Sequence, residues 1–274
     1  MMRPPVAVIQ FPGTNCEYET RRAVDAAGGE GTIVRWNDPA ARLARYAAFI
    51  LPGGFAYQDR VRAGAIAAKD AIVEAVAAEA ERGKPVLGIC NGAQILVEAG
   101  LVPGVHPGSL EVALAPNAMD GRRGYYSRLS YVVAKGDLDR SPFMCGLEPG
   151  EVLPMPVAHG EGRFTTVSEE VVAAIRARSL VAFAYCSPDG GAAGGFPRNP
   201  NGSLEDAAGL VNPKGNVLAL MPHPERAASP WLVAVSAAPR ARERWASALP
   251  ESPGAGGGPG GRIFEAMIRW LRQA

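Results

Sequence analysis

Short apolar segments that end at turns rich in glycine and proline recur along the first third of the chain, and they constrain the fold most strongly. These segments are residues 6–11, 31–36, 46–51 and 85–89, and helix-forming segments follow at residues 17–27, 65–81 and 93–99. Continuous apolar runs of this length are typical of buried parallel strands. Because strands and helices alternate, the sequence predicts an open, mostly parallel α/β sheet with helices on both faces.

The second half of the chain is less regular. Its strand candidates are residues 129–134, 152–158, 181–185 and 216–221. Residues 262–273 carry apolar side chains on one face, which indicates an amphipathic helix. We therefore expect one domain over residues 1–226, an insertion rich in alanine, proline and glycine over residues 227–261, and a C-terminal helix over residues 262–274 that packs on the same domain.

Composition and charge narrow the class of protein. The chain has 274 residues, of which 47% are hydrophobic and 20% are charged, so it can bury a sizeable core. The formal net charge of +1 gives no electrostatic reason to expect a nucleic acid or an anionic membrane as partner. No apolar run approaches the roughly 20 residues of a membrane span, and the run at residues 6–9 is too short for a signal peptide. A cytoplasmic protein is expected.

Four cysteines occur in the chain, and their spacing gives no support for a metal cluster or a redox dithiol. None of them forms a Cys-x-x-Cys pair, which is typical of both kinds of site. Cys16, Cys145 and Cys186 are interpreted as buried structural residues, the commoner state of a free cysteine. Residues 256–261 match the Gly-x-Gly-x-x-Gly spacing, but no strand precedes them and Pro259 interrupts them. We therefore expect no metal and no cofactor on this chain.

Cys90 lies in the strongest local motif, Gly88-Ile89-Cys90-Asn91-Gly92. This is the Gly-x-Cys-x-Gly form of a nucleophile elbow, a tight strand-to-helix turn that exposes the central side chain at the end of the sheet. The N-terminus of the following helix favours the thiolate form of such a cysteine. A buried structural cysteine is the alternative, and the turn favours the nucleophile.

His223-Pro224-Glu225 follows the last strand candidate and supplies the partners that a nucleophilic thiol needs. In an extended segment, side chains at positions i and i+2 point to the same side. Glu225 is therefore predicted to lie beside His223 and to orient its ring, so that His223 acts as the base for Cys90. By itself this tripeptide also fits a surface turn, and only the elbow favours a triad.

Pro52-Gly53-Gly54-Phe55 follows another strand candidate. The two glycines could offer backbone N–H groups to an oxyanion, together with the N–H of Asn91. An ordinary tight turn is the alternative and, without the elbow, the better interpretation.

Six stretches of the chain carry a resemblance to a known family. They are VAVIQFPGTNCEYET (6–20), LPGGFAYQDRVRAGAIAA (51–68), KPVLGICNGAQILVEAGLVPG (84–104), PVAHGEGRF (156–164), NPNGS (199–203) and MPHPER (221–226). In these stretches the chain resembles the class I glutamine amidotransferases, and specifically subunit I of phosphoribosylformylglycinamidine synthase. The elbow alone indicates the amidotransferase class, whereas the PGGF and AHGEG segments are more specific. Residues 111–130 and 227–261 depart from the pattern without touching the triad.

The resemblance implies an open, flavodoxin-like α/β fold and a Cys-His-Glu triad, which falls on Cys90, His223 and Glu225. It also implies that the oxyanion donors are Gly54 and Asn91.

Residues that line the substrate pocket are implied as well. The resemblance assigns glutamine binding to Gln94, in the continuation of the elbow, to His159 and Gly160, in the AHGEG segment, and to Gly53.

The activity implied is hydrolysis of glutamine to glutamate and ammonia. The ammonia would pass to a large synthetase subunit that binds ATP and Mg²⁺ and converts formylglycinamide ribonucleotide to the amidine in purine biosynthesis. A small third subunit would complete the complex. Two alternatives stay open: another amidotransferase or free cysteine hydrolase of the same fold, and an interaction subunit without catalytic activity.

Overall fold

The computed structural model of the chain describes residues 2–233 and 257–273. Most of the predicted insertion, residues 234–256, lies outside the described residues. The strands are β1 (Pro5–Gln10), β2 (Glu30–Arg35), β3 (Ala48–Leu51), β4 (Val86–Ile89), β5 (Ala113–Ala115), β6 (Tyr126–Ala134), β7 (Val152–His159), β8 (Arg163–Thr165), β9 (Val181–Cys186), β10 (Ala207–Val211) and β11 (Val217–Leu220). The α-helices are α1 (Glu17–Ala26), α2 (Ala71–Glu81), α3 (Asn91–Glu98), α4 (Glu169–Ala177) and α5 (Gly261–Gln273).

One nine-stranded sheet organises the molecule, with the order β2-β1-β3-β4-β11-β10-β9-β6-β7. The strands from β2 to β11 pair in parallel, and the pairings from β11 to β7 are antiparallel. Only β10 and β6 are therefore antiparallel to the other seven strands of this sheet. The prediction of a mostly parallel α/β fold is confirmed, with an antiparallel extension that the sequence did not predict.

Helices flank this sheet. The strand order changes direction at β1, so right-handed crossovers place α1 and α2 on opposite faces. Helix α3 packs on β3, β4 and β11, and α5 packs against α1 with Ile263 and Met267 fully buried. The predicted C-terminal helix is therefore present, while the division of the chain into a domain and an insertion stays a prediction. None of the described helices is long and apolar enough to cross a lipid bilayer.

The predicted helix over residues 65–81 is interrupted at Asp70. A short 3₁₀ turn (Ala67–Lys69) precedes Asp70, whose backbone is extended (φ −71°, ψ 141°), and α2 begins only at Ala71. The Asp70 carboxylate accepts a hydrogen bond from the hydroxyl of Tyr57 at 2.8 Å instead of capping the helix. The contact between Asp70 and Tyr57, in the loop after β3, therefore outweighs the helix propensity of residues 65–81.

The predicted site residues meet at one end of the parallel half of the sheet. The loop after β3 contains Gly54, Cys90 follows the last residue of β4, and His223 comes three residues after the end of β11. Because β3, β4 and β11 are adjacent and parallel, their carboxyl ends lie at the same edge, where open α/β sheets bind ligands.

Candidate active site

Cys90 occupies the turn between β4 and α3 in a conformation that is rare for a residue with a side chain. Its φ is 50° and its ψ is −103°, a strained combination. Gly92 makes this turn possible, since a Cβ there would lie 1.9 Å from the carbonyl oxygen of Leu51. The Cys90 side chain is buried, and its sulfur lies 3.7 Å from the carbonyl oxygen of Ala158. These features are those of a nucleophile elbow.

His223 and Glu225 form a buried pair. Nδ1 of His223 lies 2.5 Å from Oε1 of Glu225, and both side chains are buried. The extended geometry predicted for this pair is wrong, because Pro224 has helical dihedrals (φ −65°, ψ −31°) and Glu225 begins a 3₁₀ turn. The fixed φ of proline suits such a turn as well as an extended segment. A tight turn therefore makes the contact that was predicted for an extended segment.

The charges around His223 hold a proton on its ring. Burial by itself lowers the pKa of His223, but the negative charges of Glu225 and Cys90 raise it, and the pKa lies well above its usual value. Glu225 accepts from Nδ1, so the carboxylate fixes the orientation of the ring and stabilises its charged form. A charged imidazole beside a cysteine is the arrangement in which sulfur reacts as a thiolate.

Cys16 lies beside the same imidazole ring, which the sequence analysis did not predict. Sγ of Cys16 lies 3.1 Å from Nη2 of Arg226, and ligand atoms of Cys16, His223 and Glu225 all lie within 4.8 Å of one another. Cys16 is fully buried, as predicted, but it packs against the triad. Gly53 allows this packing, because a Cβ on it would lie 2.8 Å from Cε1 of His223 and 3.3 Å from Sγ of Cys16.

Gly54 and Asn91 each present a backbone N–H at the end of the sheet. Gly54 has a φ of +153°, and a Cβ there would lie 2.6 Å from Cα of Thr14, so only glycine fits. Asn91 is the first residue of α3, where backbone N–H groups have no acceptor inside the helix. In the described part of the chain, neither N–H donates a hydrogen bond. The arrangement suits the predicted oxyanion roles, which stay predictions.

A cavity of about 260 Å³ adjoins the triad. This volume suits a small metabolite. The cavity is lined by six residues that the sequence predicted, Gly54, Cys90, Gln94, His159, Gly160 and His223, and by further residues that include Phe55, Asp59, Tyr125, Glu161 and Arg226. Tyr125 belongs to the segment that departs from the family pattern, and its hydroxyl donates to the carbonyl oxygen of Ala158 at 2.8 Å.

The side chain of Asn91 is the centre of a hydrogen-bond network that links three parts of the cavity wall. Its Oδ1 accepts from the N–H of Ala56 at 2.9 Å, and its Nδ2 donates to Oδ1 of Asp59 at 3.1 Å and to Oε1 of Gln94 at 2.9 Å. Nε2 of Gln94 in turn donates to the carbonyl oxygen of Glu161 at 2.7 Å. The loop after β3, the start of α3 and the segment after β7 are thereby held in a fixed relation.

His159 is held neutral by its surroundings. Burial and then the charge of His223 lower the pKa of His159 to about 3. Oδ1 of Asn117 accepts from Nδ1 of His159 at 3.0 Å and from the N–H of Gly162 at 3.2 Å, which fixes the tautomer with hydrogen on Nδ1. Asn117 was not predicted as a site residue, because no motif marks it within the segment at residues 111–130.

Comparisons with known proteins identify the family. A model of the CobB/CobQ-like glutamine amidotransferase domain matches residues 3–271 of the chain. The chain belongs to this family.

Individual amidotransferases are similar over almost the whole chain. Phosphoribosylformylglycinamidine synthase subunit PurQ of Methanothrix thermoacetophila is 43% identical over 273 residues, which cover 98% of this chain and 98% of the relative. PurQ of Pyrococcus furiosus is 37% identical over 97% of this chain and 98% of the relative. A chain of the solved structure of PurLQS from Thermotoga maritima is 31% identical, with a TM-score of 0.72, over 98% of this chain and 100% of that chain. The resemblance noted in the sequence is confirmed.

The amidotransferase also contains a group of residues whose spacing would suit a metal ion. Cys16, His223 and Glu225 are the residues of this group among those described, and thiolate, imidazole and carboxylate are all common ligands of transition metals. Nδ1 of His223 is already bonded to Glu225, so an ion bound through that nitrogen would have to break the pair that orients the ring. We interpret the group as part of the triad, and the expectation of no metal stays a prediction.

Proposed function

We propose that this chain is the glutaminase subunit of a phosphoribosylformylglycinamidine synthase. The observation that carries the proposal is the cavity that Cys90, on its strained turn, shares with His223, whose ring is paired with the buried Glu225. The chain is also similar to PurQ over nearly its full length. It hydrolyses glutamine to glutamate and ammonia. The ammonia is used by an ATP-dependent synthetase subunit to convert formylglycinamide ribonucleotide to formylglycinamidine ribonucleotide in purine biosynthesis.

The first chemical step is attack of the Cys90 thiolate on the side-chain amide carbon of glutamine. As the C–S bond forms, negative charge develops on the amide oxygen, and we assign its stabilisation to the N–H groups of Gly54 and Asn91. His223 gives its proton to the departing nitrogen, so ammonia leaves as the C–N bond breaks. The product of this step is a γ-glutamyl thioester on Cys90.

The second step is hydrolysis of the thioester. His223 has lost its proton to ammonia, so it accepts one from a water molecule that attacks the thioester carbon. The C–S bond then breaks, glutamate leaves, and Cys90 and the charged His223 are restored. Glu225 transfers no proton in either step and acts by holding the ring in one orientation.

The proposal includes partners and a location. The similarity to a chain of PurLQS supports a complex with other subunits of the same enzyme, and we infer a large synthetase subunit and a small third subunit. The thiol chemistry needs no cofactor on this chain, so ATP and Mg²⁺ belong to the synthetase subunit. We place the complex in the cytoplasm, where free glutamine and nucleotides are available.

Hydrolysis of glutamine should depend on assembly of the complex. The isolated chain is expected to hydrolyse glutamine slowly. Asn91 holds Ala56 and Asp59, but the peptide between Gly53 and Gly54 is glycine backbone and can still rotate when no partner fixes it. Alignment of one oxyanion donor typically changes the rate by about 10²–10³-fold. The measurement is steady-state glutamate release by the chain alone and with the synthetase subunit and its nucleotides. Equal turnover in both conditions would favour a free hydrolase of the same fold.

Cys16 is expected to contribute to turnover through the position of His223. Cys16→Ala removes the sulfur that contacts Arg226 and packs beside the imidazole, which frees the ring to shift. A loss comparable to one hydrogen bond, about 1.4 kcal/mol, corresponds to roughly tenfold in kcat. The measurement is glutamine hydrolysis by the assembled complex over a range of pH.

Cys186→Ala is the matched control, since Cys186 is also a free and buried cysteine. Cys16→Ser should restore part of the activity because the hydroxyl can still accept from Arg226. If Cys16→Ala and Cys186→Ala lower kcat equally, the effect of Cys16 is one of general packing and not of His223 orientation.

A further inference from the structure

Two carboxylates line the cavity and have no cationic partner among the residues that the structure describes. Asp59 belongs to the loop after β3 and Glu161 to the segment after β7. Within the described part of the chain, Asp59 accepts only from the neutral amide of Asn91, and the carboxylate of Glu161 has no hydrogen bond or ion pair. Arg226 also lines the cavity, but its guanidinium contacts Cys16 and Glu225.

The two carboxylates are close enough for their charges to interact. Burial, followed by the negative charge of Glu161, raises the pKa of Asp59. Two like charges in a partly desolvated cavity oppose each other's ionisation, and a cation between them would remove that penalty. Cys90 lines the same cavity, so a ligand that supplies this cation and is also a substrate of the thiol must carry both a cationic group and a group that the thiol attacks.

The backbone around Asp59 is held in an unusual conformation. Tyr57, Gln58 and Asp59 have φ values of 54°, 61° and 52°, a region that residues other than glycine rarely adopt. The hydroxyl of Tyr57 is anchored on Asp70, and Asp59 itself is anchored on Asn91. Strain of this kind persists where the surrounding contacts over-determine a position, so the carboxylate of Asp59 is fixed at the cavity before any ligand arrives.

We propose that Asp59 and Glu161 bind the α-ammonium group of the substrate glutamine, an inference that rests on the proposed glutaminase function. Glutamine has a carboxamide at one end and an ammonium group at the other, so it meets both requirements of the cavity. Asn91 belongs to both parts of the proposed glutamine site. Its side chain holds Asp59 at the ammonium end, and its backbone N–H is a proposed oxyanion donor at the carboxamide end. The pair of carboxylates Asp59 and Glu161 thereby selects free glutamine over analogues that lack a charged α-amino group.

The test compares glutamine with glutaramate, which has the same carboxamide and carboxylate but no α-amino group. Asp59→Asn and Glu161→Gln are introduced singly and together, and kcat/KM for ammonia release is measured with the assembled complex. Asparagine at position 59 can still accept from Asn91, so the loop keeps its anchor. A hydrogen bond to a charged group is worth about 1.5–3 kcal/mol, so each variant should lower kcat/KM for glutamine by roughly 10- to 100-fold. Turnover of glutaramate should stay at the wild-type value.

Glu170→Gln, which neutralises an exposed carboxylate on α4, is the matched control and should leave kcat/KM unchanged for both substrates. The proposal is overturned if the Asp59 and Glu161 variants lower kcat/KM for both substrates equally, or if they leave glutamine unaffected. A wild-type complex that releases no ammonia from glutamine would overturn the proposed function as well. Synthesis of the amidine from ammonium salts serves as the reference for an intact complex in every variant.

Discussion

Replacement of Cys90 by alanine is expected to abolish glutamine-dependent amidine synthesis by the assembled complex, while synthesis from added ammonium continues. Without the sulfur no thioester forms, and removal of a triad nucleophile in comparable hydrolases lowers kcat by about 10⁶-fold. The ammonium-dependent reaction survives because, under the proposed function, the synthetase site lies on another chain. The measurement is product formation from each nitrogen source under otherwise identical conditions.

Cys145→Ala is the control for this experiment, since Cys145 is a second buried cysteine whose sulfur contacts the carbonyl oxygen of Ala266 on α5. It should leave both reactions at the level of the wild type, apart from any loss of stability. Retention of glutamine hydrolysis by the Cys90→Ala variant would show that Cys90 is not the nucleophile.

His223→Ala is expected to lower glutamine hydrolysis nearly as much as loss of Cys90, because one side chain serves as acid in the first step and as base in the second. Glu225→Gln should have a smaller effect, about 10²–10⁴-fold in kcat. Glutamine at this position cannot stabilise the charged ring, although it keeps the shape of the carboxylate. The measurement is kcat and KM for glutamine with the assembled complex, together with the pH profile.

The pH profile separates a chemical role of Glu225 from a structural one. Loss of its charge should lower the pKa of His223, which Glu225 raises in the wild type. The charged form of the ring would then be lost at a lower pH, and activity should decline at a lower pH than in the wild type. Full activity and an unchanged profile in Glu225→Gln would show that this carboxylate does not orient the base.

The parts of the site that the sequence predicted are those that local geometry dictates. The elbow at Cys90 could be predicted because a strand, a cysteine and the start of a helix are contiguous, and because Gly92 leaves room for the carbonyl of Leu51. The His223–Glu225 contact was predicted from a spacing of two residues, although the backbone that makes it is a turn. Alternation of strands and helices in the first third was sufficient to predict four of the five strands in the parallel half of the sheet, and β11 is the fifth.

The parts that the sequence did not predict arise from contacts between distant segments. Cys16 and Arg226 are separated by 210 residues, and Asn117 and His159 by 42, so no periodicity or local motif links them. Asp59 lies within a segment that resembles the family, but its role depends on Glu161, which belongs to another loop. Strand β10 was missed because its sequence, Ala-Ala-Gly-Leu-Val, contains residues that disfavour strands when judged locally.

The position of β11 in the sheet has a consequence for how the protein matures. This strand comes after all the other strands described, yet it lies between β4 and β10, so the parallel and antiparallel halves are joined only when it inserts. Until then two strand edges are unpaired and can pair with other chains, which leads to aggregation. Pairing between segments that are distant in sequence is also slow. His223 lies three residues after the end of β11, so we expect a newly made chain to acquire its base only as these edges close. We therefore expect release of ammonia only from chains that have completed the sheet.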